Sequence, residues 1–224
     1  MLVLVAACSD EPVSAPSSTA ATATSAATTS TTSTTTTVPA TTTTVPVPAY
    51  TFPFTGLEVG YGDDHSGYPA TDVFGCGAMV VSPTNGTVVQ TRDFDAWDPA
   101  VHAGSTRGGL YVSVLGVDGV RYYFAHLETV LVSVGQAVQP GDPLGPMGAT
   151  GDARSSVCHT HMGISWVCPA NEWKVRRGMV WPAPYLDAWR VGEQRSPAAE
   201  VAAEQSAHPE ACSEAMAEPD APMS

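Results

Sequence analysis

A small, mostly β domain of antiparallel sheet is predicted by three features of the sequence. Between residues 50 and 190 the chain falls into short runs of Val, Thr, Tyr, Phe and Leu broken every few residues by Gly, Pro, Asn or Asp, the pattern of strands separated by turns. Val117-Asp118-Gly119-Val120 is a hairpin signal, because Asp-Gly readily supplies the positive φ that a type I′ turn needs at both central residues. No stretch of helical periodicity in this region is long enough for a sizeable amphipathic helix. Residues 9–49 are almost wholly Ser, Thr, Ala, Pro and Val, and residues 191–224 are Ala, Glu and Pro with few large apolar side chains. Neither stretch buries enough surface to offset its ordering entropy. The prediction is therefore one domain at 50–190, flanked by a disordered stalk at 9–49 and an acidic disordered tail at 191–224.

At the start, residues 1–8 form a short apolar run that ends in small residues before Cys8 and turns polar at Ser9-Asp10-Glu11. This resembles the lipobox of a bacterial lipoprotein signal peptide, although it lacks a basic n-region. The resemblance implies export and lipidation at Cys8, placing the domain on the outer face of the cell membrane or outside the cell. The Thr runs Thr34–Thr37 and Thr41–Thr44, with Pro39, Pro46 and Pro48, keep the stalk extended, with a reach of roughly 130 Å.

Charge narrows the partners. The chain has a net charge of −13 with nine Lys and Arg, whereas a nucleic-acid binder needs a basic face. No nucleic acid is expected, and contact with a membrane is expected only through the anchor at Cys8. No apolar run approaches the ~20 residues of a spanning helix. A monomer is expected.

Within the domain the expected strands are Ala78–Ser82, Thr87–Gln90, Leu110–Val117, Val120–His126 and Val130–Val134, with Leu110–Val117 paired antiparallel to Val120–Leu127. Turns follow one another through Val134–Gly151, and Leu186–Val191 offers a short closing helix. Setting Cys8 aside leaves Cys76, Cys158, Cys168 and Cys212, an even number that suits export and allows three pairings. Cys158–Cys168 is the expected bridge, since the two flank one short segment. No CxxC spacing occurs, which argues against a cysteine zinc site.

Ser156–Trp166 carries His159-Thr160-His161. In a strand, residues two apart face the same side, so His159 and His161 project together from a rigid element. His126 ends another strand, in Tyr122-Tyr123-Phe124-Ala125-His126-Leu127, and His65 and Asp72 lie in a polar, Gly-containing stretch upstream. His102 reads as a residue of the long loop Asp93–Gly109, and the aromatic residues as core or groove wall.

This order of residues resembles the lysostaphin-type (LytM-like) zinc metallopeptidases, peptidoglycan endopeptidases of bacterial cell walls. The resemblance covers roughly Asp63–Trp166. It rests on Asp72, on Asn85-Gly86-Thr87-Val88, on Phe124-Ala125-His126-Leu127, on the glycine-spaced Val134–Gly145, on Gly148-Ala149-Thr150-Gly151 and on His159-Thr160-His161. It implies a barrel-sandwich-like fold, a zinc ion and a peptidoglycan peptide as substrate. Asp72 and His161 match zinc ligands, His159 the residue that deprotonates the attacking water, and His126 the one that steadies the transition state. The family's first ligand precedes the Asp by four residues, where this chain has Tyr68; His65 is the expected substitute, in a loop loosened by Gly67 and Pro69.

Such a set suits amide hydrolysis. Zinc held by three protein groups with one open position brings the pKa of bound water to ~7 and polarises a carbonyl. The competing reading is an inactive relative that binds wall peptides or activates a separate amidase. A lipoyl-type carrier is excluded: the only lysine, Lys174, lies far from the turn-rich segment.

Overall fold

A computed structural model of the chain describes residues 47–169 and 172–217. In it the β-branched and aromatic runs form β1 (Phe54–Thr55), β2 (Gly60–Tyr61), β3 (Thr71–Phe74), β4 (Met79–Val81), β5 (Gly86–Arg92), β6 (Tyr111–Gly116), β7 (Arg121–Phe124), β8 (Ala137–Val138), β9 (Pro143–Pro146) and β10 (His159–Ser165). Four helices follow: α1 (Trp173–Arg176), α2 (Ala183–Arg190), α3 (Ala198–Ala207) and α4 (Ala211–Ala217). The strands make a seven-stranded sheet in the order β2-β3-β10-β7-β6-β5-β8 and a three-stranded sheet β1-β4-β9, with every pairing antiparallel. The predicted mostly β, antiparallel class is what the chain adopts. Among the described residues no helix is long and apolar enough to cross a membrane.

Strand parity divides the large sheet into two chemically different faces. Val73, Val112, Val114, Tyr122, Phe124, Met162 and Ile164 belong to the main hydrophobic core, and each fully buried aliphatic or Phe side chain contributes roughly 1.5–3 kcal/mol. The alternate positions carry Asp72, Tyr111, Ser113, Arg121, Tyr123, His159, His161 and Ser165, which by the period of two share the opposite face. That polar face is covered in turn by residues 172–178, a strap that includes α1. The strap is fixed at its start by a buried ion pair: Glu172 and Arg121 lie 2.9 Å apart with both side chains fully buried. Gln90 Nε2 donates to Glu172 Oε1 at 2.8 Å, and Arg121 Nε donates to Ser165 Oγ at 3.2 Å. Burial pulls the Arg121 guanidinium down to about 10 against the attraction of Glu172, the expected penalty for a charge removed from water.

Two glycines let the strap lie where it does. A Cβ on Gly163 of β10 would stand 2.3 Å from the Arg177 carbonyl oxygen, and one on Gly178 would stand 1.9 Å from the Pro69 carbonyl oxygen. The strap is thus pressed between β10 and the loop that precedes β3, with no room for a side chain on either side.

The hairpin β6–β7 has the expected pairing, Val112 opposite Phe124 through Leu115 opposite Arg121, but not the expected turn. Positive φ occurs at Gly119 alone, and the bonds Gly119 N to Gly116 O and Gly116 N to Val120 O close a three-residue loop of the type I plus bulge kind. Val130–Val134 forms no strand. Leu131 and Val134 are 53% and 61% exposed, so alternation does not carry this run into the core, and β8 takes the free edge of β5 instead.

The cysteine expectation is corrected. Cys158 does not bridge Cys168; the bonds are Cys76–Cys158 and Cys168–Cys212, with Cα separations of 5.2 and 5.5 Å. The reason is β10, whose seven extended residues span about 23 Å, far beyond the ~7 Å reach of a disulfide. Phe74 is paired with His159, and this brings Cys76, just past β3, to Cys158. The disordered tail is corrected as well. α3 and α4 bury Val201 and Ala215, Tyr185 donates a hydrogen bond to Glu200, and Trp166 Nε1 donates to Cys212 Sγ. Alanine-rich sequence is a strong helix former, and the Cys168–Cys212 bridge supplies the tether that sparse apolar surface does not. Residues 218–224, the stalk to residue 46 and the lipidation position Cys8 lie outside the described residues.

Replacing Cys168 and Cys212 together by Ser is expected to destabilise the domain by up to roughly 4 kcal/mol through loss of a 44-residue closure, and to open residues 191–217 to limited proteolysis. Denaturant titration and digest mapping check this. A non-reduced peptide map showing Cys158 joined to Cys168 would refute the assignment.

Candidate metal centre

β3 and β10 are neighbours, and their register sets His161 directly opposite Asp72. Cross-strand partners share a face, so the imidazole and the carboxylate meet, with His161 Nδ1 3.0 Å from Asp72 Oδ1. At the other side of the ring, His161 Nε2 lies 2.8 Å from the Arg177 carbonyl oxygen. A carbonyl only accepts, so Nε2 carries the hydrogen. In the neutral ring Nδ1 is then a bare lone pair facing a carboxylate oxygen. Two acceptors at that distance require a positive centre, either a proton on Nδ1 or a cation shared between them.

His65 approaches from the loop ahead of β3. Its Nε2 is 3.7 Å from Asp72 Oδ2, and its ring is 5.1 Å from that of His161, edge to face. One ligand atom from each of His65, Asp72 and His161 falls within 4.8 Å of the others; ligands ~2.1 Å from a common tetrahedral ion stand about 3.4 Å apart. The electrostatics favour binding forms. Burial, then His161, lowers the pKa of His65 below the ordinary histidine value, so a ring nitrogen is free of its proton. Burial alone would raise Asp72, but the hydrogen bond and charge of His161, with His159 and His65, carry it below the ordinary carboxylate range. The donor set therefore fits a zinc ion with three protein ligands and one open position.

Beside this group stand the other two histidines. His126 has φ of 61°, a left-handed conformation that costs a β-carbon residue of order 1–3 kcal/mol. Bonds on both flanks hold it there, His126 N to Gly108 O at 2.9 Å and Gly148 N to His126 O at 3.0 Å. Its Nδ1–H donates to the Thr150 carbonyl at 2.8 Å, and Nε2 lies 3.9 Å from Asp152 Oδ1. Burial first, then the charges of His161 and His159, hold this imidazole down to about 3. His159 Nδ1–H donates to the Val157 carbonyl at 2.8 Å, and its ring is 4.8 Å from that of His126. Each ring thus keeps a lone pair on Nε2.

His65, Asp72, His126, His159 and His161 all line one cleft of about 320 Å³, so every histidine and carboxylate expected at the site is brought together there. His102 is not among the lining residues; its ring rests 5.4 Å from Trp97. His208 pairs with Glu204 on α3. The cleft also contains Tyr68, Arg107, Asp152, Trp173, Arg176 and Arg177, to which no site role was assigned from sequence. Asp152 directly follows Gly148–Gly151, but the arginines carry no spacing signal. The walls that hold them are set by Trp173 packing on Gly104, where a Cβ would stand 2.2 Å from the indole.

Residues 67–175 match the model of peptidase family M23. The match includes Asp72, His126, His159 and His161, while His65 lies two residues ahead of it. Among solved structures the chain is similar to a candidate peptidase M23 from Pseudomonas aeruginosa, with 24% identity over 62% of this chain and 51% of that one and a TM-score of 0.46. It is similar to a candidate glycyl-glycine endopeptidase lytM from Ruminococcus gnavus, with 22% identity over 66% and 63% and a TM-score of 0.49. It is also similar to the catalytic domain of the antimicrobial peptidase lysostaphin from Staphylococcus simulans, with 24% identity over 58% and 92% and a TM-score of 0.43. The chain thus spans 51% and 63% of the lengths of the first two. No curated protein matches it.

The depressed pKa of His126 has a consequence for the metal-free protein. Below about pH 6.5 the unfolded chain takes up a proton at this residue that the folded chain refuses until about pH 3, so its contribution to stability is present above 6.5 and lost on acidification. The expected loss is up to about 1.4 kcal/mol per pH unit in that window. Denaturant titrations in chelator from pH 7 to 4 measure it, and His126→Gln should flatten the slope; an unchanged slope in the variant would contradict the shift.

Proposed function

We propose that the LytM-like domain of peptidase family M23 formed by residues 67–175, with His65 reaching in from just ahead of it, is a zinc-dependent endopeptidase that hydrolyses peptide bonds of bacterial cell-wall peptidoglycan. The observation that carries this reading is the confrontation of the His161 Nδ1 lone pair with Asp72 Oδ1 at 3.0 Å, with His65 in reach, inside a cleft that also holds His126 and His159.

His65, Asp72 and His161 would hold the ion. Bound there, zinc supplies Lewis acidity: it lowers the pKa of water and polarises the scissile carbonyl. The Arg177 carbonyl fixes the ring of His161 in the tautomer that turns Nδ1 to the ligand group. His159 is the general base. Its Nδ1–H is committed to Val157, so Nε2 takes the proton of the attacking water and passes it toward the leaving amine. His126 steadies the transition state as a neutral ring, the form that burial and the neighbouring His161 and His159 enforce. Because its own Nδ1–H is held by Thr150, its Nε2 lone pair accepts a hydrogen bond from the attacking water and keeps it in line while His159 takes the other proton. The substrate is a peptidoglycan peptide, met outside the cell membrane by a monomer that a lipid at Cys8 would tether through the stalk.

Purified protein is expected to bind one zinc per chain. His159→Ala should abolish cleavage of purified walls while leaving bound zinc nearly unchanged, whereas Asp72→Ala, His161→Ala and His65→Ala should lose the metal. Zinc analysis and mass spectrometry of released termini check this. Equal zinc loss in all four variants would sink the division of roles, and zinc-loaded protein that binds walls without cutting them would favour the inactive binder or amidase activator. Activity should fade below about pH 6 as imidazole protonates; an optimum at pH 4 would contradict the reading.

A further inference from the structure

The β3–β10 ladder puts two pairs on the polar face of the large sheet, His161 opposite Asp72 and His159 opposite Phe74. The first pair belongs to the metal group, and His159 is the proposed general base. Phe74 alone has no role in that chemistry. It is 44% exposed, and it belongs neither to the hydrophobic clusters of buried residues nor to the partly buried side chains packed against them. Among the described residues every other exposed large apolar side chain, from Val47 to Val191, lies outside the strands. Single exposed apolar residues are ordinary on turns and loops, but here strand parity directs a Phe ring onto the face that carries the site.

The surroundings leave a hollow over that ring. On one flank Phe74 rests against His159, with ring centres 5.4 Å apart. His159 in turn lies 4.8 Å from His126, so a row of three rings leads out of the cleft to Phe74. On the other flank the cross-strand partner on β2 is Gly60, and a Cβ built there would meet nothing within 4 Å. The place from which a neighbouring side chain would cover the ring is therefore open. The pair is also held in register, because the Cys76–Cys158 bridge, with Cα atoms 5.2 Å apart, joins the chain two residues past Phe74 to the residue just ahead of His159. Phe74 and His159 lie two residues along their strands from the metal pair, about 7 Å. An extended peptide advances by the same amount over two residues. One whose scissile carbonyl sits at the metal group and which passes His159 brings a nearby side chain over Phe74.

We propose that Phe74 is a specificity-determining residue: an open aromatic platform, walled by His159 and left uncovered by Gly60, that receives an aliphatic side chain of the substrate peptide close to the scissile bond. The inference rests on the peptidase reading above and narrows it, because the preferred peptide carries an aliphatic residue such as alanine at that place, and glycine would leave the ring uncovered.

The test titrates the full chain, zinc-loaded and followed by NMR, with acetylated and amidated pentaalanine, in all-L and all-D form, and with pentaglycine blocked in the same way. A methyl group in an apolar site is worth about tenfold, so the better-bound alanine form is expected to bind about tenfold more tightly than pentaglycine. Phe74→Ala should bring this ratio near one and Phe74→Leu should keep most of it. Gly60→Leu, which puts a side chain into the hollow, should lower the ratio as Phe74→Ala does, with zinc content unchanged in all three. On cross-linked muropeptides released from purified walls, Phe74→Ala should raise KM by a larger factor than it lowers kcat. Four results overturn the platform: a ratio of one in the wild type, no binding of either peptide, a ratio that survives Phe74→Ala or Gly60→Leu, or a fall in kcat alone, as expected of a ring that only props His159. The two readings fail separately. Protein that cuts muropeptides yet binds the blocked peptides equally removes the platform and leaves the peptidase, whereas an alanine preference that depends on Phe74, without any cleavage, removes the peptidase and leaves the platform.

Discussion

The arrangement depends on one contact, the approach of a histidine lone pair to a carboxylate oxygen across the β3–β10 ladder. His161 and Asp72 are cross-strand partners, so their separation is governed by the pitch of a sheet and not by the flexibility of a loop. The Arg177 carbonyl at the far side of the ring decides which nitrogen carries the hydrogen. Together these leave two acceptors facing each other, and a positive centre is the only stable resolution. Neighbouring features serve that geometry. Gly163 lets the strap approach β10 closely enough for its carbonyl to reach the imidazole, and the buried Arg121–Glu172 pair anchors the strap at its start.

A buried ion pair of this kind is weak evidence for stability, since dehydrating both charges offsets much of their attraction. Its value here lies in position. Arg121 belongs to β7 and Glu172 to the segment leading into α1, so the pair ties the covering strap to the sheet at one register. The same face of the sheet also carries a left-handed His126, held by bonds to Gly108 and Gly148. Costs of conformation and desolvation gather on this polar face, while the opposite face is an ordinary apolar core that offsets them. Such concentration is what a site needs if its groups are to be held in place before substrate arrives.

Much of this was legible from residue pattern. The period of two in Ser156–Trp166 placed His159 and His161 on one side, and the structure has both in the cleft. The roles of Asp72 and His126 came from the resemblance to the LytM-like peptidases, and His65 was singled out as the histidine nearest Tyr68, the position where that resemblance expects the first ligand. The failures share a cause. Cys158 and Cys168 looked like partners because they are close in sequence, but an extended strand between them sends them to opposite ends. The tail at 191–224 looked disordered because its apolar content is low, yet a bridge to Cys168 and close packing of small residues hold two helices against the domain. The Asp-Gly hairpin was right in register and wrong in turn type, because only Gly119 takes positive φ.

By itself the sequence determined the strand-rich class, the shared face of the paired histidines and the kinds of group available for a metal and for proton transfer, since these follow from local periodicity and side-chain chemistry. Only the tertiary structure decided which cysteines meet, which imidazole nitrogen is free and where the arginines gather. Those outcomes hang on contacts between segments far apart in the chain, such as Asp72 with His161 and Arg121 with Glu172. Such contacts are set by sheet order and by the close approach of the strap, and no local pattern of residues encodes either.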